Sequence, residues 1–206
     1  MKRLCLIAAV GLLAACTENT VTSPSSGVQL AASLSTAPGQ NKAACQVEAP
    51  ATCTQQGNGA KGNFTIDTRS GGYVLVYLND LGNLSGLLLG DVSQLSFRYT
   101  GAVTPGSPRI SLAIDENGDG IADGYAFISA YYCNNGAGLV DAINDPTCSI
   151  QYKSETFANY AAFVAAHPTY RVAVADPNTG LNYTFIVVDE PMLVTISGVT
   201  LGKPGH

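Results

Sequence analysis

Arg109-Ile110-Ser111-Leu112-Ala113-Ile114 alternates branched apolar side chains with small or polar ones, which puts Ile110, Leu112 and Ile114 on one face of an extended segment. Residues 94–100 repeat the pattern with Leu95, Phe97 and Tyr99. Both read as strands buried on one side. Outward from them, further short runs between turn residues predict strands at 63–67, 73–79, 124–132, 149–152, 170–175, 182–189 and 193–201, with 87–89 the weakest of the set. Nine or ten short strands, spaced by turns that 22 Gly and 10 Pro supply, predict an all-β, antiparallel β-sandwich of jelly-roll type. One short helix interrupts the strands. Thr156 is its expected N-cap, Phe157, Tyr160 and Val164 share a face, and His167-Pro168 ends it, so it should plug one end or edge of the sandwich. No repeat of fixed period argues for a solenoid or propeller.

The first stretch runs directly into Asp115-Glu116-Asn117-Gly118-Asp119-Gly120-Ile121-Ala122-Asp123. Oxygen-bearing side chains at positions 1, 3 and 5, Gly at 6, a backbone carbonyl at 7 and a carboxylate at 9 describe a calcium loop. It resembles the calcium loops of dockerins and thrombospondin-type repeats. The resemblance implies side-chain oxygens from Asp115, Asn117, Asp119 and Asp123, and the carbonyl of Ile121, around calcium. Position 12 is Ala126 where an EF-hand needs a bidentate Glu, and strands flank the loop, so the expected role is to clamp neighbouring strands. Four carboxylates and no base among nine residues repel one another unless a cation or solvent screens them. An all-oxygen donor set favours a hard cation over zinc or copper. The plainer alternative is a solvated Asn117-Gly118 hairpin turn.

At the other end of the chain, Lys2 and Arg3 precede an apolar run, Leu4 to Ala15, too short to span a bilayer as a mature helix. The run closes on Leu13-Ala14-Ala15-Cys16, which resembles the lipobox of bacterial lipoproteins. The resemblance implies a signal peptide at 1–15, an acylated Cys16 as first mature residue and anchoring in the cell envelope by lipid alone. Thr17, where inner-membrane retention usually has Asp, points to the outer membrane of a host that has one. Residues 16–44 read as a lipid-anchored tether rich in Ser, Thr, Ala and Gly, with an average reach of roughly 30 Å, and 45–206 as the folded domain.

Setting aside Cys5 and Cys16 leaves Cys45, Cys53, Cys133 and Cys148, an even number in an exported chain, which predicts two disulfides. Of the three possible pairings the local one, Cys45 with Cys53 and Cys133 with Cys148, is expected. Thiolate ligation of a metal lacks any C-x-x-C pair. Losing Lys2 and Arg3 from ten bases leaves eight against fifteen acids, a formal charge of −7, which gives nucleic acid no electrostatic footing.

For chemistry the chain holds two histidines, His167 and His206, and no G-x-S-x-G elbow, so a serine triad has little to rest on. Asp67, Asp91, Glu155, Asp189 and Glu190 supply carboxylates from which a glycosidase pair would have to come. Tyr73, Tyr77, Tyr125, Tyr131 and Tyr132 offer rings for stacking on sugars, with Tyr131 and Tyr132 preferred because adjacent strand residues face opposite ways. The closing run Val194-Thr195-Ile196-Ser197-Gly198-Val199-Thr200-Leu201 resembles the last strand of jelly-roll carbohydrate-binding modules, V-x-I-D-N-V-x-L, departing from it at Ser197-Gly198. The reading is a surface-anchored, calcium-stabilised module without enzymatic activity that binds extracellular polysaccharide. A self-assembling structural or adhesive subunit and a carbohydrate-active enzyme are the alternatives.

Overall fold

The computed structural model describes residues 44–57, 62–78, 84–133, 138–174 and 184–202. The stretch expected to be a signal peptide, Cys16 and nearly all of the expected tether lie outside the described residues. Thirteen strands are described: β1 Ala44–Glu48, β2 Thr52–Gln56, β3 Asn63–Asp67, β4 Tyr73–Tyr77, β5 Gln94–Gly101, β6 Arg109–Asp115, β7 Gly124–Ser129, β8 Leu139–Asp141, β9 Ile150–Tyr152, β10 Glu155–Phe157, β11 Arg171–Val172, β12 Thr184–Val188 and β13 Leu193–Gly202. They form two antiparallel sheets. The larger follows the order β1-β4-β12-β6-β7-β9-β10 with β11 also on β6, and the smaller β2-β3-β13-β5-β8. The expected all-β sandwich with one helix is the fold.

Alternation decides which side chains meet between the sheets. Val74, Val76, Ile110, Leu112, Ile114, Ile128 and Ile186 of the large sheet and Phe64, Ile66, Leu95, Phe97, Val194 and Ile196 of the small one are buried at 1% exposure or less. Each such side chain contributes roughly 1.5–3 kcal/mol relative to exposure. The departure at Ser197-Gly198 has a structural cause: the β13–β5 register shifts between Ser197 and Thr200, and Gly198 has φ of +55°. A bulge with a left-handed residue selects glycine there.

Both disulfides pair as expected. Cys45–Cys53 joins β1 to β2, and therefore one sheet to the other. Cys133–Cys148 pins the chain where it leaves the large sheet after β7 to where it returns before β9, and between them β8 pairs with β5 across the sandwich.

The helix differs from expectation. Thr156 and Phe157 belong to β10, paired with Gln151 and Ile150, so the helix, α1, starts later, at Tyr160–Ala166. Asn159 is its N-cap, its side chain accepting from the Ala162 N–H at 2.9 Å, and Tyr160 and Phe163 are the buried pair. The predicted strand 124–132 ends at Ser129. At 87–89, Leu88 makes a lone bridge to Arg171 and Leu89–Asp91 forms a 3-10 turn. Strands β1, β2, β8 and β10 were not expected.

Candidate functional site

The loop between β6 and β7 is built on Asp115. Its carboxylate is buried at 1% exposure. Oδ1 accepts the Asn117 and Gly118 N–H groups at 3.2 and 2.6 Å, and Oδ2 the Gly120 N–H at 2.8 Å. The pattern steps along the loop: Asn117 Oδ1 accepts from the Asp119 N–H at 2.9 Å, Asp119 Oδ1 from the Ile121 N–H at 2.8 Å, and Asp123 Oδ2 from the Glu116 N–H at 2.8 Å. Gly120, at φ +86°, supplies the sharp turn. Backbone dipoles thus compensate the clustered charges, and Asp119 and Asp123 stay exposed. Among the described residues no group of three or more His, Cys, Asp or Glu side chains that could hold a metal ion is found.

Glu116 bonds outside the loop. Its Oε1 accepts from Lys153 Nζ and from the Tyr152 hydroxyl, each at 2.7 Å. Lys153, followed by Tyr152, holds this carboxyl below its ordinary range, while burial, then Glu116, pushes the Tyr152 phenol up.

A second feature lies on the outer face of the large sheet. An open cleft of about 200 Å³ is lined by Arg109, Phe127, Ser129, Tyr132 and Gln151, with the Pro105-Gly106 turn and Ser149 at its rim. Arg109 grips both oxygens of Asp189 at 2.8 and 2.7 Å, donates to the Gly106 carbonyl at 2.6 Å, and sits 5.3 Å from the Phe127 ring centroid. Glu190 packs its carboxylate against Gly106.

Tyr131 and Tyr132 are 50% and 39% exposed, with rings 5.2 Å apart at 87°. They do not occupy opposite faces of a strand. Ala130 to Tyr132 is a turn in which the Tyr132 N–H bonds the Ser129 carbonyl, so both rings leave the core, and Tyr132 lines the cleft. Tyr73, Tyr77 and Tyr125 alternate with buried Val74, Val76 and Ala126 and so share that outer face, half-buried. Tyr125 packs 5.5 Å from Phe185.

His167 stacks on Tyr170 at 4.3 Å within a cluster of Tyr152, Phe157 and Phe163. Asp67 is gripped by Arg69 at 2.7 Å, and Asp91 and Glu155 are exposed. His206 lies outside the described residues. Sequence reasoning did not single out Arg109, Phe127 or Gln151. Their signal was the outward phase of β6, β7 and β9, where aromatic and planar polar residues stand opposite the core phase. Comparison with known proteins gave no match among protein families, curated proteins or solved structures. Among the described residues no helix is long and apolar enough to cross a membrane.

Proposed function

We propose that the domain is a non-enzymatic binding module for extracellular polysaccharide, carried on the cell envelope by lipidated Cys16 and its tether, and stabilised by calcium in the Asp115–Asp123 loop. The observation that carries the reading is the cleft: an exposed Tyr132 ring and the Phe127 ring stand beside Gln151, Ser129 and the Arg109 guanidinium. Sugars present flat apolar faces edged by hydroxyls, and rings beside amide, hydroxyl and guanidinium groups complement both. For the loop, exposed carboxylate oxygens on Asp119 and Asp123 support oxygen ligation of a hard cation.

Affinity electrophoresis through gels containing soluble β-glucan, xylan or mannan tests the reading. Tyr132→Ala should weaken retention roughly tenfold, the scale of about 1.4 kcal/mol for one lost ring contact. Tyr131→Ala, outside the cleft lining, should weaken it less. Wild-type protein that none of these gels retains, and that polymerises when calcium is added, would put the self-assembling subunit in its place.

A further inference from the structure

Beyond the cleft, one outward residue of β6 is placed at a cost. Ser111 lies between core residues Ile110 and Leu112, so its side chain points to the outer face. Cross-strand register sets it opposite Phe185 of β12 on one side and Phe127 of β7 on the other, and Phe127 in turn opposite Gln151 of β9. Its side chain is 0% exposed, yet its Oγ makes no hydrogen bond. A hydroxyl in that position carries a desolvation penalty that a methyl group does not. Ala113, two residues on and also buried on the same face, shows that this phase of β6 accommodates alanine.

The two rings flanking Ser111 are half-buried. Phe127 belongs to the cleft wall, and Phe185 continues the aromatic face toward Tyr77, ring centroids 6.1 Å apart. Large rings on β7 and β12 therefore close over a small polar floor on β6. Resting on the glycan reading, we propose that the binding site continues from the cleft across Phe127 to Ser111. The Phe127 and Phe185 rings part, and the Ser111 hydroxyl exchanges a hydrogen bond with a sugar hydroxyl. The opening requires rotamer changes of two half-buried side chains, not a movement of the strands that carry them. The polysaccharide then lies across the strands, covering about 10 Å from Gln151 to Ser111 at ~4.8 Å per strand.

Ser111→Ala separates this from packing. The variant should melt at the wild-type temperature or above it, since an unpaired hydroxyl is removed, and should lose about tenfold affinity for whichever of β-glucan, xylan or mannan retains the wild type. Unchanged retention overturns the proposal and leaves the glycan reading standing, with Tyr132→Ala as its separate test. A lower melting temperature shows that the fold itself bonds the hydroxyl, and also overturns it. Wild-type protein that ignores all three polysaccharides overturns both.

Discussion

Glu116 is second in a loop of acids yet takes its partners from the β9–β10 turn, Lys153 and Tyr152. Because that pairing lowers its pKa from an ordinary 4.5, ionised Glu116 favours the folded state. The contribution is present above 4.5, where the unfolded chain is also ionised, and is lost as pH falls through the lowered folded value. Glu116→Gln should therefore lower the melting temperature at pH 7, and the gap to wild type should close on acidification below about pH 4.5. Parallel acid profiles for the two proteins would show that the pairing adds nothing in solution. The neighbouring Asp115 works differently: three backbone N–H groups satisfy it, so its negative charge is held by the turn it creates.

Among the elements, β8 is the strand that lies within the loop closed by the Cys133–Cys148 bridge. It is three residues long, sits at the edge of the small sheet and is reached by a chain that leaves the large sheet and returns. Replacing both cysteines by Ala should cost about 3 kcal/mol, the chain-entropy value for a loop of about 15 residues. Amide exchange should accelerate first at the Val140–Phe97 pairing. Protection there that matches wild type would show that β5 holds β8 unaided. The same excursion explains what could be read in advance. Long runs with one apolar phase, such as β5, β6 and β13, were legible because alternation alone specifies them. Thr52–Gln56 and Leu139–Asp141 were not, being edge strands whose polar or short sequences become strands through a partner distant in the chain. Thr156 and Phe157 carry a fair helix start, but pairing with β9 claims them first. The acidic loop was plain from spacing. The cleft was not, since Arg109, Phe127 and Gln151 come together only through the register of β6, β7 and β9.

For the molecule as a whole, the proposed calcium is the ligand whose effect would be simplest to read. If millimolar calcium exceeds its dissociation constant a hundredfold, native-state binding contributes about 2.7 kcal/mol, or a rise of roughly 5–10 °C in Tm. Asp119→Ala should remove most of that rise. A melting curve that chelator leaves unmoved would reduce the loop to a turn. The position of β13 bears on a different matter, the timing of assembly. The last of the described strands is the middle one of its sheet, with β3 on one side and β5 on the other. Until residues 193–202 are available, β2-β3 and β5-β8 are two ribbons with an unfilled gap, and the inner face of the large sheet lacks the layer that covers it. Pairings of such sequence separation also make folding slow. A chain that has not yet supplied residues 193–202 therefore cannot complete the smaller sheet, and the sandwich closes only when that strand takes its place between β3 and β5.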